Sequence, residues 1–178
     1  MAAPADWSAR RFSFDFEADV YPSVLMRLRG TAVRLFELTD SATPEQLTWR
    51  PAEGKWSALE RIGHLFEVEE LWTQRVIDFL NDAEELTPIN HSLGLHEDYN
   101  AYAETGWGKV IAAFAMRRSA LLEDCLDDLR LEHFNKVALH PRLKIPIRLV
   151  DHLYFAAEHD DHELAWIWEL LRQSQHAR

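Results

Sequence analysis

Apolar residues recur every three or four positions through four long segments of the chain, which is the spacing of one face of an α-helix. These segments span about 19–39, 58–81, 97–129 or 105–129, and 146–173. Strand-like alternation is nearly absent, and the connections between segments are longer than hairpin turns. The pattern therefore predicts an all-α protein, a four-helix bundle. Because no linker or repeat divides the sequence, we expect one domain over residues 1–178.

Local signals indicate where two of these helices begin and leave the start of another open. Ser57 is a candidate N-cap and Glu60 follows three residues later, which is the spacing of a capping box. Pro146 is a favoured first-turn residue and predicts the start of the last helix. Gly106 and Gly108 interrupt the third pattern, so two start positions stay open there.

The last helix carries the first candidate chemistry. His159 and Glu163 are four residues apart, so their side chains lie one turn apart on the edge of the apolar face. Asp160 falls near the middle of that face and requires a partner, as a structural link or as an outer partner of a metal ligand. His162 lies on the other side and is expected in solvent. A catalytic metal needs a third ligand, and His64 on the second helix is the candidate.

These patterns also have a simpler interpretation. Runs of acids on a helix are typical of a solvated surface, and a lone histidine on a polar face usually has no ligand. Spacing alone leaves both interpretations open and favours the solvated surface. The remaining histidines are expected at the surface: His91, His96, His133, His140 and His176.

Composition narrows the range of partners. The net charge is −11, and no basic run is present, which disfavours nucleic acid and anionic membranes. The apolar run VIAAFAM is too short to cross a bilayer, and the N-terminus lacks the apolar core of a signal peptide. The single cysteine, Cys125, fits a reducing compartment. We therefore expect a cytoplasmic protein, and a homodimer is compatible with a bundle that has this many aromatic residues.

Two stretches of the chain carry recognisable motifs: WRPAEGKWSALERIGHL, which contains His64, and HPRL followed by AEHDDHE, which contains His159. Together they resemble the signature regions of the DinB-like (DinB/YfiT-like) superfamily. The resemblance implies a four-helix bundle with a divalent metal held by a histidine of the second helix and an H-x-x-x-H pair of the last. Glu163 stands where the second histidine of that pair is usual. Three outcomes stay open: Glu163 replaces the imidazole, His162 takes its place, or the site is degenerate and empty.

The resemblance also implies a class of activity. A divalent metal (zinc, nickel, iron or manganese) would activate water or a low-molecular-weight thiol, in a hydrolase or a thiol-dependent transferase or isomerase acting on a small molecule. Glu67 or Glu60, each one turn from His64, is a candidate to orient that imidazole or to act as a base. Asp160 is a candidate outer partner of the metal site. Cys125 is an unfavourable nucleophile because its acidic neighbours raise a thiol pKa. The alternative is a non-catalytic binding or oligomeric bundle with a degenerate metal site.

Overall fold

The computed structural model describes residues 4, 6–90 and 101–176, and it confirms the four-helix bundle. The helices are α1 (Tyr21–Thr39), α2 (Pro44–Thr48), α3 (Ala58–Leu80), α4 (Ala101–Thr105), α5 (Trp107–Ala120), α6 (Leu131–Phe134) and α7 (Leu149–Ser174), and the strands are β1 (Val137–Leu139) and β2 (Pro146–Arg148). The four long helices form the bundle. In it α7 packs against α1 and α3, and α5 packs against the same two helices.

The capping box predicted at the start of α3 is present. Ser57 Oγ accepts a hydrogen bond from the Glu60 backbone N–H at 3.2 Å, and Glu60 Oε2 accepts one from the Ser57 backbone N–H at 2.7 Å. Both bonds satisfy donors that a helix start leaves free. They fix the first turn of the helix that carries His64.

The predicted start of the last helix at Pro146 was wrong. Pro146 pairs with Leu139 in an antiparallel two-stranded hairpin formed by β1 and β2. The helix begins three residues later, where the Asp151 carboxylate accepts a hydrogen bond from the Arg148 backbone N–H at 2.8 Å. Three-residue strands are too short to show alternation in the sequence.

The third predicted helix is divided in two. Gly106 has φ +86°, a left-handed conformation that separates α4 from α5. Beyond α5 the chain continues as a π-helical segment, Leu121–Leu126. Helical structure therefore ends three residues before the predicted end at Leu129. The alternative start at Glu97 lies outside the described residues.

A layer of buried polar residues divides the core into two apolar clusters. Each long helix contributes one residue near the point where it passes from one cluster to the other: Thr31, Glu69, Arg118 and Asp160. Arg118 donates two hydrogen bonds to Glu69, each 2.7 Å long, and one to Asp160 Oδ2 at 2.6 Å. Thr31 Oγ1 donates to the same Asp160 oxygen at 2.7 Å. This network supplies the partner that the sequence required for Asp160.

In the described part of the chain, no helix combines the length and the apolar character needed to cross a bilayer.

Candidate metal centre

The three candidate ligands converge between α3 and α7. His64 lies in the second turn of α3, and His159 and Glu163 lie one turn apart on α7. Their ligand atoms all lie within 4.8 Å of one another. His64, His159 and Glu163 are 8%, 3% and 4% exposed respectively, so these polar side chains do not face solvent. The solvated-surface interpretation of this patch therefore does not hold for these residues.

The two imidazoles face each other through the same ring atom. His64 Nε2 lies 3.2 Å from His159 Nε2. Burial lowers the pKa of His64 to about 4, with a further contribution from the charge of Arg61. Burial, and then the neighbouring His64, hold the pKa of His159 well below its ordinary value. Both rings are therefore neutral near pH 7, the form in which imidazole binds a metal.

An arginine three residues before His64 holds the Glu163 carboxylate. Arg61 Nη1 donates a hydrogen bond to Glu163 Oε2 at 2.7 Å, while Glu163 Oε1 lies 4.0 Å from His159 Nε2. The Arg61 guanidinium is also stacked on Trp166, 4.6 Å from the ring centroid. Burial raises the pKa of Glu163, and the charge of Arg61 opposes that rise. One carboxylate oxygen is thus committed to Arg61, and the other is turned towards the imidazoles.

The prediction that His162 lies in solvent was wrong. Its side chain is 8% exposed, and its Nε2 lies 3.9 Å from Glu163 Oε1. The ring packs against Trp7, with the centroids 5.5 Å apart. Trp7 belongs to a short N-terminal 3₁₀ turn, Trp7–Ala9, that covers this side of α7. The periodicity of α7 alone could not reveal a distant segment packed upon it.

The other predicted site residues make contacts away from the candidate ligands. Glu67 accepts a hydrogen bond from the Tyr102 hydroxyl group. Asp160 is hydrogen-bonded to Arg118 and Thr31, and within the described residues none of its side-chain hydrogen bonds is with a candidate ligand. The role of Glu67 as a base stays a prediction, whereas Asp160 has the contacts of a structural link.

His140, predicted at the surface, is 1% exposed, so that prediction was wrong. The hairpin turns its ring towards Phe155 on α7. His176 is exposed as predicted, and His133 is half-buried. His91 and His96 lie outside the described residues.

Two cavities reach the paired imidazoles, and both are lined by Trp7, His64 and His159. One has a volume of about 230 Å³ and mainly apolar walls, which include Trp72 and Phe155. The other has a volume of about 460 Å³, and its lining includes Glu163 and the ring of Trp166. The candidate ligands are therefore buried but reachable by small molecules.

Sequence reasoning missed three basic residues near the centre. Arg61 holds Glu163, and Arg75 and Arg142 line the smaller cavity. The position of Arg61 offered a signal, because a residue three positions before His64 lies on the same face of the helix. Arg142 is in the connection between the strands, where periodicity gives no information.

Comparison with known proteins agrees with this fold. A model of the DinB superfamily matches residues 27–167, a range that includes all three candidate ligands. Among solved structures, YfiT from Bacillus subtilis matches with a TM-score of 0.69 and 19% identity, over 92% of this chain and 93% of that chain. YfiT is described as "a probable metal-dependent hydrolase with an unusual four-helix bundle topology". The search of curated proteins found no significant match. On the extent of the family match, the chain belongs to the DinB superfamily.

Proposed function

We propose that the chain is a metal-dependent enzyme that binds one divalent ion through His64, His159 and Glu163 and acts on a small molecule. The observation that supports this most directly is the 3.2 Å separation of two buried Nε2 atoms from different helices. Two imidazole nitrogens that bind one zinc ion tetrahedrally lie about 3.3 Å apart, given Zn–N distances of about 2.0–2.1 Å. The spacing in the protein agrees with that value.

The donor set fits a divalent transition metal. Two imidazoles and one carboxylate are ligands that zinc and iron(II) accept, and nickel and manganese bind the same donor types. The carboxylate oxygen on the imidazole side is 4.0 Å from His159 Nε2. Arg61 binds the opposite oxygen, so it restricts rotation of the carboxylate and keeps Oε1 directed at the imidazoles. Outer partners of this kind are a usual part of metal sites.

The proposed ion would lower the pKa of a bound water molecule or thiol, and so supply a nucleophile at neutral pH. The walls of the cavities limit the access of bulk water to the ligands, because Trp7 packs on His159 with centroids 5.1 Å apart. Trp56 packs on His64 with the same distance of 5.1 Å between ring centroids. Neutral imidazoles keep their lone pairs available for the ion rather than for protons.

The proposed nucleophile comes from a small molecule, as water or as a low-molecular-weight thiol. Cys125 is the single cysteine of the chain, and it lines a different cavity, beside Glu70 and Asp124. Burial raises the pKa of the Cys125 thiol, and the charge of Asp124 raises it further. A cysteine in that state is a poor nucleophile near pH 7. Hydrolysis and thiol-dependent transfer are the two reaction classes of this proposal.

Metal content measured by inductively coupled plasma mass spectrometry tests the proposal. We expect about one ion per chain in the wild type, because a set of three convergent ligands binds divalent ions tightly. We expect little metal in His64→Ala and His159→Ala. The matched control is His176→Ala, which removes an exposed imidazole and should keep the wild-type content. A wild type that takes up no zinc, nickel, iron or manganese would favour the non-catalytic bundle.

A further inference from the structure

The smaller cavity contains two guanidinium groups that form no ion pair with a carboxylate of the described residues. Arg75 is 3% exposed, and Arg142 lies at the exposed edge of the cavity. Arg75 Nε donates a hydrogen bond to the Thr87 carbonyl oxygen at 2.9 Å. Arg142 Nη2 reaches the Trp7 carbonyl oxygen only at 3.4 Å. Most of their N–H donors therefore have no acceptor in this part of the chain.

Carboxylates act on the pKa of these arginines by long-range electrostatic attraction, without a hydrogen bond. Asp78 raises the pKa of Arg75 and Asp6 raises that of Arg142, but burial has the larger effect and lowers both. Burial brings the pKa of Arg75 to about 10, so the group stays charged near pH 7. Neither guanidinium is in direct contact with a carboxylate of the described residues, although the chain has a net charge of −11.

His140 places a further donor against Arg75. Its Nδ1 accepts hydrogen bonds from the backbone N–H groups of Arg142 and Leu143, at 3.1 and 3.2 Å. A neutral imidazole that accepts at Nδ1 carries its proton on Nε2. Burial and the charges of Arg75 and Arg142 lower the pKa of His140 to about 3, so the ring is neutral near pH 7.

In the contact between His140 and Arg75, two hydrogen-bond donors therefore face each other. His140 Nε2 lies 3.3 Å from Arg75 Nη1, and each of these nitrogens carries hydrogen. Two N–H groups at this distance do not satisfy each other. An acceptor that both can reach would satisfy both, and an oxyanion would also neutralise the guanidinium charges.

We propose that the smaller cavity binds the carboxylate of a small organic acid between Arg75, His140 and Arg142. Arginine forks match the planar geometry of a carboxylate. The apolar part of the acid would pack against Trp72 and Phe155, which line the same cavity. A volume of about 230 Å³ lies below the usual range of drug-sized pockets, roughly 300–1,000 Å³, so the acid is small.

This inference rests on the proposed function in one respect. The cavity is also lined by His64 and His159, so an acid bound there has its other end beside the proposed metal. The anion contacts themselves involve no candidate ligand. Binding of the acid and binding of the metal can therefore be measured separately.

Calorimetric titration with benzoate, benzamide and phenyl phosphate tests the inference, on chelator-treated and on metal-loaded protein. We expect benzoate to bind both forms, and benzamide, which lacks the charge, to bind about tenfold more weakly or less. Arg75→Gln and Arg142→Gln should each weaken benzoate about tenfold and leave benzamide unchanged. Arg142 is exposed, so Arg142→Gln should fold even if Arg75→Gln does not. Arg29→Gln removes an exposed arginine that does not line the cavity, and it should bind as the wild type does.

Three results would overturn the inference. Equal affinities for benzoate and benzamide would show that charge is not recognised. Tighter binding of phenyl phosphate than of benzoate would assign the cavity to phosphate. Benzoate binding that requires metal and is insensitive to Arg142→Gln would place the acid on the ion, which leaves the proposed function intact. Conversely, arginine-dependent benzoate binding by a chain that takes up no metal would support the carboxylate site and contradict the proposed function.

Discussion

Arg61 and Glu163 form an ion pair that joins α3 to α7 at the candidate metal centre. The Nη1–Oε2 distance is 2.7 Å, and the two side chains are 14% and 5% exposed. The same face of α3 thus provides one candidate ligand, His64, and also Arg61, which binds the candidate ligand Glu163. This pairing explains how a glutamate can stand where the resemblance leads one to expect a histidine, because Arg61 supplies the opposite charge that a buried carboxylate needs.

Removal of the Arg61 side-chain charge should weaken metal binding. In Arg61→Gln the Glu163 carboxylate loses the partner that fixes its orientation, and loss of such partners costs about 10–100-fold in metal affinity. Competition with a chromophoric chelator measures the change. Arg50→Gln is the matched control, because it removes an arginine–glutamate pair with Glu60 on the same helix. Equal metal affinities of the two variants would show that Arg61 does not position the ligand.

A histidine at position 163, which the resemblance leads one to expect, should not by itself strengthen metal binding at this centre. Glu163→His would place an imidazole against the Arg61 guanidinium and leave that largely buried charge without its carboxylate. We expect Glu163→His to bind metal more weakly than the wild type, and the double variant with Arg61→Gln to recover part of the loss. Chelator competition on the three proteins gives the comparison. Tighter binding by Glu163→His alone would contradict the coupling between residues 61 and 163.

The buried imidazoles should make the metal-free protein sensitive to acid. The pKa of His64 is lowered from 6.5 to about 4 in the folded chain. Between these values the unfolded chain binds a proton that the folded chain does not, so stability falls as the pH falls from 6.5 to about 4. Each such imidazole contributes at most about 1.4 kcal/mol per pH unit to that slope.

Urea denaturation of chelator-treated protein at pH 7, 6 and 5 measures this dependence. His64→Gln should make the decrease in the free energy of unfolding shallower, because the variant lacks one of the protonating groups. His176→Gln, which changes an exposed imidazole, should keep the wild-type slope. An unchanged slope in His64→Gln would show that this imidazole is not held neutral by the fold.

Arg118 should be among the residues most important for stability. It lies between Glu69 and Asp160 in the layer between the two apolar clusters, and all three are nearly fully buried. Arg118→Met leaves two buried carboxylates without a counter-charge, which should cost about 3–5 kcal/mol in the free energy of unfolding. Arg29→Met removes an exposed ion pair and should change it by less than about 1 kcal/mol. Chemical denaturation measures the free energy of unfolding of both variants. Equally small decreases in the two variants would contradict a structural role for the network of Arg118, Glu69 and Asp160.

The sequence predicted those parts of the protein that depend on local periodicity. The helix α1, the capping box of Ser57 and Glu60, and the four-residue spacing of His159 and Glu163 are all visible in the order of residues. Asp160 was also predicted to need a partner, because a carboxylate on an apolar face cannot stay alone. Its partner, Arg118, is 42 residues away, and periodicity does not identify partners at that separation.

The predictions that failed depend on tertiary contacts and on strand pairing, which the periodicity of a helix does not encode. His162 is covered by Trp7, and His140 is turned inwards by a hairpin whose strands have three residues each. Pro146 has a residue type that suits a helix start, but strand pairing with Leu139 determines its conformation. Burial of a polar residue by a remote part of the chain leaves no signal at that residue.

Diffraction from crystals of metal-loaded protein, recorded at the absorption edge of the added metal, tests the central claim most directly. We predict a single anomalous peak between α3 and α7, at about 2.0–2.2 Å from His64 Nε2, His159 Nε2 and a Glu163 carboxylate oxygen. A peak elsewhere in the molecule, or no peak at this position in crystals soaked with zinc, nickel, iron and manganese in turn, would contradict it.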